Sequence, residues 1–347
     1  MTDSIYAVLP NATLQEAILM LQRSRQGCVL VCNPDGVFVD ILTDGDLRRA
    51  FLAQVPLTAN VTDAALHSKS GKSVTLTVPV EDADIEKAMK QAGVRQIPLL
   101  RKDGTVLSVI MMHGDLDFLP AVVMVGGKGK RLMPLTVEMP KPLLPIGDKT
   151  ILDHILDGMA DAGIVEVCLA TGYLAERFKG VIHPGMTIDI VTEDEPLGTA
   201  GALYKYRDSV KHWPLLVVNG DLLTNIDYKA MVAYHREHKA VLTMAVRKIE
   251  AQVPYGVVEA TEYGYVWHLA EKPNHGWFVN AGIYLLEKEA LGWLPLGRCD
   301  MTELINVLLN GPKGFGRIMM PVAAFPIWEA WQDVGTPEAY REANTNV

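Results

Sequence analysis

The densest chemistry in the chain lies in VGGKGKRLMPLTVEMPKPLLP, from Val125 to Pro145. Gly126, Gly127 and Gly129 let backbone amides approach anionic oxygens closely, because no Cβ stands in the way. Lys128, Lys130, Arg131 and Lys141 concentrate positive charge on the same stretch. Phosphoryl transfer asks little more of a protein: the reacting groups must be positioned and the charge on the phosphate oxygens neutralised, without a covalent nucleophile. The spacing is not that of a Walker A loop, which ends in Gly-Lys-Ser/Thr. Nor is it the dinucleotide fingerprint, whose third glycine would fall where Leu132 stands.

These residues need a rigid frame, and the flanking pattern supplies one. AVVMV, from Ala121, reads as a buried strand that runs straight into the glycine loop. KTILDHILDGMADAG follows, with Ile151, Leu152, Ile155, Leu156 and Met159 on one helical face and Gly163 as its stop. VEVCLAT is a strand, YLAERF a helix, MTIDIVT a strand and WPLLVVNGD another strand. Such alternation predicts an α/β domain with a largely parallel sheet. Ligands of these sheets sit beyond the carboxyl ends of the strands, where the glycine loop falls. HREH, His235 to His238, reads as an exposed stretch of helix, and Trp277, Trp293, Trp328 and Trp331 read as packing residues.

Ahead of this domain the first 118 residues contain an internal repeat. Each copy has a helical segment (Leu14, Ala17, Ile18, Leu21; then Ile85, Ala88, Met89), a short apolar strand (Cys28–Val31; Ile97–Leu100) and an Asp-Gly turn (Asp35-Gly36; Asp103-Gly104). A second strand then runs into Gly-Asp-Leu (Gly45–Leu47; Gly114–Leu116) and another helix. Two copies of so small a unit are expected to bury a shared face. The duplicated unit resembles a tandem pair of CBS domains. That resemblance implies an α+β module in which Thr43 and Asp46, a Thr-x-x-Asp, hold the ribose of an adenine nucleotide. The second copy has Met112 before Asp115, and a thioether cannot replace the hydroxyl hydrogen bond. Two readings stay open: a structural, dimerising module, or an adenylate sensor. Phe118-Leu119-Pro120 joins the halves without a Gly/Ser-rich linker, so the module is expected to be held close.

At 347 residues, 49% hydrophobic and 21% charged, the chain has material for two cores, expected at 1–118 and 119–347. The net charge of −9 and the lack of a basic block argue against nucleic acid or a membrane surface as partner. The small basic cluster at 128–131 suggests a small anionic ligand instead. Cys28, Cys32, Cys168 and Cys299 form no C-x-x-C pair and read as buried thiols of a reducing compartment. MTDSIYAVLPNATL has neither a basic nor an apolar leader region, and no apolar run approaches the ~20 residues of a membrane span. The cytoplasm is the expected location.

The whole string from Gly126 to Leu143 resembles the signature of the sugar-1-phosphate nucleotidyltransferase family, G-G-x-G-T-R-L-x-P-L-T followed by P-K-P-L/M. Lys130 stands where the family has Thr or Ser. The resemblance implies a Rossmann-like, mixed but largely parallel sheet and the reaction NTP + sugar 1-phosphate giving NDP-sugar + pyrophosphate. It carries over to further segments. In TEDEPLGTAGAL, Glu195, Gly198 and Thr199 would meet the nucleobase, and the EPLGTAG form is closest to mannose-1-phosphate guanylyltransferase-like members, which favours GTP. Asp221 of VVNGD and Asp333 of WQDVGTP would hold Mg²⁺. A hard cation of this kind suits one or two carboxylates plus substrate phosphates. Gly256, Glu271 and Asn280 would line the sugar pocket. Arg131, Lys141 and Lys272 would neutralise the reacting phosphates, with Gly126, Gly127, Gly129 and Lys130 around the triphosphate. The tandem CBS pair implies a homo-oligomer, and the family reading a product used for surface glycan or nonulosonic acid synthesis. Thymidylyl, uridylyl and cytidylyl transfer remain alternatives, as does a non-catalytic adenylate-sensing protein. A nicotinamide dehydrogenase is disfavoured by the glycine spacing.

Overall fold

The computed structural model describes residues 6–24, 26–65, 73–92, 94–111, 116, 119–295, 297–311 and 320–345. The chain divides into two compact units, Met1–Asp115 and Leu116–Val347.

In the first unit the sequence repeat becomes a structural one. The first copy comprises β1 (Ala7–Val8), α1 (Leu14–Ser24), β2 (Cys28–Cys32), β3 (Phe38–Thr43), α2 (Asp44–Leu52) and α3 (Val61–Ala65). The second comprises β4 (Leu76–Thr77), α4 (Asp82–Ala92), β5 (Gln96–Leu100) and β6 (Val106–Met111). Each copy builds a three-stranded sheet in which a two-residue strand runs parallel to the centre and the third strand runs antiparallel. The two-residue strands are too short to leave a period-2 pattern, which is why the hydrophobicity of the sequence does not reveal them. The Asp-Gly turns meet: Phe38 N–H donates to the Gly104 carbonyl and Val106 N–H to that of Gly36. Leu30, Cys32 and Val106 form a core shared by the two copies. Met112, Gly114 and Asp115 of the second copy lie outside the described residues.

The second unit begins with β7 (Ala121–Met124), the short pair β8 (Pro145–Ile146) and β9 (Lys149–Thr150), α5 (Ile151–Ala162), β10 (Glu166–Thr171) and β11 (Thr187–Thr192). It continues with α6 (Gly198–Tyr206), β12 (Leu215–Asn219), β13 (Leu222–Thr224), α7 (Tyr228–His238) and β14 (Leu242–Gln252). It ends with the hairpin β15 (Val257–Ala260) and β16 (Val266–Ala270), then β17 (Asn274–Leu286), α8 (Lys288–Leu291), α9 (Met301–Asn310), β18 (Val322–Ile327), β19 (Trp331–Asp333) and α10 (Pro337–Thr345). Seven strands form one sheet in the order β11-β10-β7-β12-β17-β14-β18, with β17 antiparallel to its neighbours and every other pairing parallel. The expected mixed, largely parallel sheet is therefore present.

Alternate residues of β7 serve opposite faces, as a doubly covered strand requires. Ala121 and Val123 enter a core with Leu152, Leu156 and Met159 of α5 and Met231 of α7. Val122 enters a second core with Leu203 of α6 and Leu304 of α9. α5 is fixed at both ends. Thr150 and Asp153 form a capping box, and Gly163 closes the helix at φ 91°.

Three readings are corrected. YLAERF is not a helix but a short 3₁₀ turn over Ala175–Phe178. His235 of HREH is 1% exposed, facing Thr243 and Glu287 rather than solvent. Trp277 is 51% exposed and stacks on the His275 ring outside the core. All four cysteines are buried. No helix among the described residues is long and apolar enough to cross a membrane.

Candidate active site

The sheet order turns at β7. The chain proceeds from β7 outward to β10 and β11 on one side, then returns to place β12 on the other. Such a switch point opens a crevice at the carboxyl ends of the two strands. The glycine loop leaves β7 there, and Asn219-Gly220-Asp221 leaves β12 there. Gly220 is required by the approach of these segments: its N–H donates to the Met124 carbonyl, and a Cβ would stand 2.7 Å from that oxygen.

Asp221 and Asp333 are far apart in sequence, and a small antiparallel pair joins them. β13 runs against β19 with Leu222 opposite Asp333, and Val334 N–H donates to the Asp221 carbonyl. Lys141 reaches the same point from the Pro140-Lys141-Pro142 turn. Its Nζ lies 2.5 Å from Asp221 Oδ2 and 3.6 Å from Asp333 Oδ1, with the lysine side chain only 9% exposed. Burial, and then the charge of Asp221, raise the Asp333 carboxyl above its ordinary range, while Lys141 and Arg131 pull it back. The Arg131 guanidinium lies beside this pair. A Cβ on Gly335 would stand 2.9 Å from both Arg131 Nη2 and Asp333 Oδ1.

The loop itself is braced from below. Thr136, fully buried, donates its hydroxyl to the Gly129 carbonyl at 2.9 Å. Tyr173 donates its hydroxyl to the carbonyl of Val137 at 2.8 Å, and its own N–H to that of Gly126. Lys128, Lys130 and Arg131 are exposed above this support, alongside Gly127.

In the base-side segment, where Glu195, Gly198 and Thr199 are expected to meet the nucleobase, the backbone is bonded to a neighbouring segment. The amides of Ala200 and Gly201 donate to the Cys299 carbonyl, and the amide of Thr199 donates to Asp300 Oδ1. The Thr199 hydroxyl accepts the Met301 N–H at 2.8 Å. The start of α6 is thus engaged with the start of α9. Glu195 is exposed. The residue that stands out instead is Glu193, just beyond β11. Its Oε1 is buried and has no hydrogen-bond partner among the described residues. Its other oxygen lies against Gly126 and Gly172, within 3.0 Å and 3.3 Å of where their Cβ atoms would be. Burial raises the Glu193 carboxyl above its ordinary range, opposed by the Leu197 amide and Lys205. A buried acceptor without a donor is uncommon in folded proteins and asks for an explanation. Sequence reading passed over Glu193. The only local signal was a carboxylate immediately after a strand of the parallel sheet.

On the other side, Asn280 Nδ2 donates to Tyr284 Oη and its Oδ1 accepts the Gly282 N–H. Burial raises the Tyr284 phenol above its ordinary range, the charge of Asp221 adds to this, and the bond with Asn280 opposes it. Gly256 and Glu271 face each other at the base of the β15–β16 hairpin. Lys272 follows in a left-handed conformation, φ 46°, with its amide donating to the Tyr255 carbonyl. No hydrogen bond or ion pair among the described residues joins Glu271 or Lys272 to the Lys141 cluster. The structure therefore assembles the expected residues as two groups: Arg131, Lys141, Asp221, Asp333 and Asn280 around the switch point, and Gly256, Glu271 and Lys272 on the hairpin.

The donor set fits magnesium. Two carboxylates crowd one another with a single lysine between them, and the charge of Asp221 helps to hold Asp333 protonated to higher pH. Among the described residues no group of three or more His, Cys, Asp or Glu could hold a metal. An ion here would take its remaining oxygens from phosphates and water, as Mg²⁺ does. In the first unit, Thr43 and Asp46 are engaged with each other. They form the capping box of α2, and Asp46 also pairs with Arg49.

A family model described as nucleotidyl transferase matches residues 120–347, and one described as CBS domain matches residues 1–53. A mannose-1-phosphate guanylyltransferase of Mycobacterium tuberculosis is 34% identical over 230 residues, covering 63% of this chain and 62% of that protein. The mannose-1-phosphate guanylyltransferase catalytic subunit beta of Drosophila pseudoobscura pseudoobscura is 38% identical over 231 residues, covering 63% and 60%. The chain thus spans less than two thirds of the length of these relatives. Among solved structures, HddC from Yersinia pseudotuberculosis matches with TM-score 0.50 at 24% identity, over 66% of this chain and 99% of that one. A putative glucose-1-phosphate thymidylyltransferase from Bacillus anthracis matches with TM-score 0.52 at 21% identity, over 66% and 94%. These two share the fold.

Proposed function

Because the chain belongs to the nucleotidyl transferase family, we propose that it transfers a nucleotidyl group from GTP to a hexose or hexosamine 1-phosphate, releasing pyrophosphate. The observation that carries this reading is the convergence of Lys141, Asp221 and Asp333 at the strand switch point, beside the glycine loop. An oxygen of the sugar phosphate attacks the α-phosphorus of the triphosphate. The new P–O bond forms as the bond to the α–β bridging oxygen breaks, and pyrophosphate leaves with that electron pair. The amides of Gly126, Gly127 and Gly129 and the exposed Lys128, Lys130 and Arg131 receive the leaving group. Lys141 neutralises charge where the two phosphates meet. Lys272 approaches the sugar phosphate from the hairpin, and Gly256, Glu271 and Asn280 accept and position the sugar. Mg²⁺, held by Asp221 and Asp333, would supply further neutralisation of phosphate charge.

The choice of guanine rests on the guanylyltransferase relatives and on Glu193. Guanine presents a ring N–H and an amino group side by side, and an ionised carboxylate is acceptor-only. Glu193, whose other oxygen lies against Gly126 and Gly172, would offer its unpaired Oε1 to one of those donors. Glu193→Gln substitutes an amide donor for an acceptor. Its kcat/KM with GTP should fall by roughly 10- to 100-fold, the loss of one buried charge-assisted hydrogen bond. Equal loss with all four triphosphates would remove Glu193 from base selection.

For the first unit we propose the structural role. Thr43 and Asp46 already satisfy one another, and occupation by a ribose would have to compete with a helix cap. Calorimetric titration of the full chain with AMP and ATP tests this, and micromolar binding abolished by Asp46→Ala would contradict it.

A further inference from the structure

β17 does not run evenly along β14. Met244 stands opposite Tyr284 and Val246 opposite Asn280, so Ala281, Gly282 and Ile283 share the space of the single residue Ala245. Ile283 pairs across to Val218 of β12, but Ala281 and Gly282 have no partner in either ladder. The bulge presses on the exit of β12. Gly282 sits at φ 76°, and a Cβ there would stand 2.6 Å from the side-chain nitrogen of Asn219. Buried backbone groups that leave a ladder must be bonded elsewhere. Gly282 N–H donates to Asn280 Oδ1 at 2.9 Å, and the carbonyl of the fully buried Ala281 accepts the indole N–H of Trp331 at 2.9 Å.

We propose that Trp331 is a positioning residue for the sugar phosphate: its N–H fixes the bulge, and the bulge aims Asn280. Bulges beside active sites turn a side chain toward the site in this way. The Asn280 amide is held through one donor, to Tyr284 Oη at 2.7 Å, and one acceptor, from Gly282. One N–H and one lone pair of that amide remain, on an exposed residue, and a sugar hydroxyl can take either. Trp331 is half-buried against the core between the sheet and α5. A phenyl ring could also pack there, but only the indole N–H reaches the bulge. Trp331 and Asp333 are two residues apart on β19 and so share a face. The strand that carries the Asp333 carboxylate therefore also sets the aim of Asn280. The role toward sugar phosphate rests on the proposed function; the hold on the bulge does not.

The test is Trp331→Phe in the full chain, read first by amide hydrogen exchange, which needs no turnover. Exchange across residues 280–283 should quicken by about 10-fold, the worth of one hydrogen bond, while β7 and β12 stay protected. If the variant melts early, the sulfur analogue of tryptophan, with the same two rings and no N–H, takes its place at 331. Unchanged exchange overturns the proposal whatever the activity does. In the transfer assay the KM for sugar 1-phosphate should rise about 10-fold while that for the triphosphate holds. Asn280→Ala should do the same, and the double variant should be no worse than Asn280→Ala alone, because Trp331 acts through Asn280. Factors that multiply in the double variant, or a triphosphate KM that rises in step, would make Trp331 an ordinary packing residue and overturn the proposal. A wild-type chain that turns over no sugar 1-phosphate contradicts the proposed function instead, and exchange still decides the bulge.

Discussion

Lys141 stands between two carboxylates that are brought together by a three-residue strand pair. Removing one carboxylate leaves the lysine paired with the other and costs the site its charge balance. Asp221→Asn should therefore lower kcat by at least 10²-fold, the scale expected when one electrostatic contact to the reacting group is lost in a preorganised site. The melting temperature should hold, because the Asp221 side chain is 28% exposed and asparagine keeps the backbone bond to Val334. A variant that melts early instead would make the residue structural. Arg131, Lys141, Asp221 and Asp333 could be read from the chain because each sits in a short string of fixed order. Glu193 could not. Its unpaired oxygen is a property of three segments, ending at Gly126, Gly172 and Glu193, that meet only in the folded sheet.

Individual elements depend on contacts that local pattern does not report. Gly198 opens α6 at φ 79°, and a Cβ there would stand 2.6 Å from both Asp300 Oδ1 and the Cys299 carbonyl. Gly198→Ala combines left-handed strain with a collision against backbone, so it should destabilise the second unit by roughly 2–4 kcal/mol. Urea unfolding followed by tryptophan fluorescence measures this, and a shift within error would mean that the start of α6 can move away from α9. His235 on α7 makes a second case. Burial lowers its pKa to about 4, with Arg236 and His238 acting in the same direction. It is therefore neutral in the folded chain, with Glu287 and Thr243 at its two nitrogens. The unfolded chain takes up that proton near pH 6.5, before the folded chain does. Stability is thus full above about pH 6.5 and falls as the pH drops toward 4, by on the order of 3 kcal/mol. Glu287, raised by its own burial, offsets the lower end of this window. His235→Gln should flatten the slope of thermal midpoint against pH between 6.5 and 4, and an unchanged slope would assign the acid sensitivity elsewhere. The helical period placed HREH on a helix correctly, but Arg, Glu and two His in a row gave no sign that one imidazole turns inward.

At the scale of the molecule, the strand–helix alternation made the largely parallel sheet legible, and the repeat made the two-copy N-terminal unit legible. Strand order was not. β17 inserts antiparallel between β12 and β14, and nothing in its apolar run IYLL distinguishes the two directions. The hairpin β15–β16 was equally hidden, since YGVVEATEYGYVWHLA looks like core material and is largely exposed. The switch point between β7 and β12 is what this topology provides for chemistry, and nucleotidyl transfer is proposed to occur there. The direct test is pyrophosphate release with Mg²⁺ across the four triphosphates and a panel of sugar 1-phosphates, with Asp221→Asn alongside. Release should require GTP and one class of hexose or hexosamine 1-phosphate together, and should disappear in the variant. Release that persists in Asp221→Asn, or none from folded protein with any pair, would contradict it.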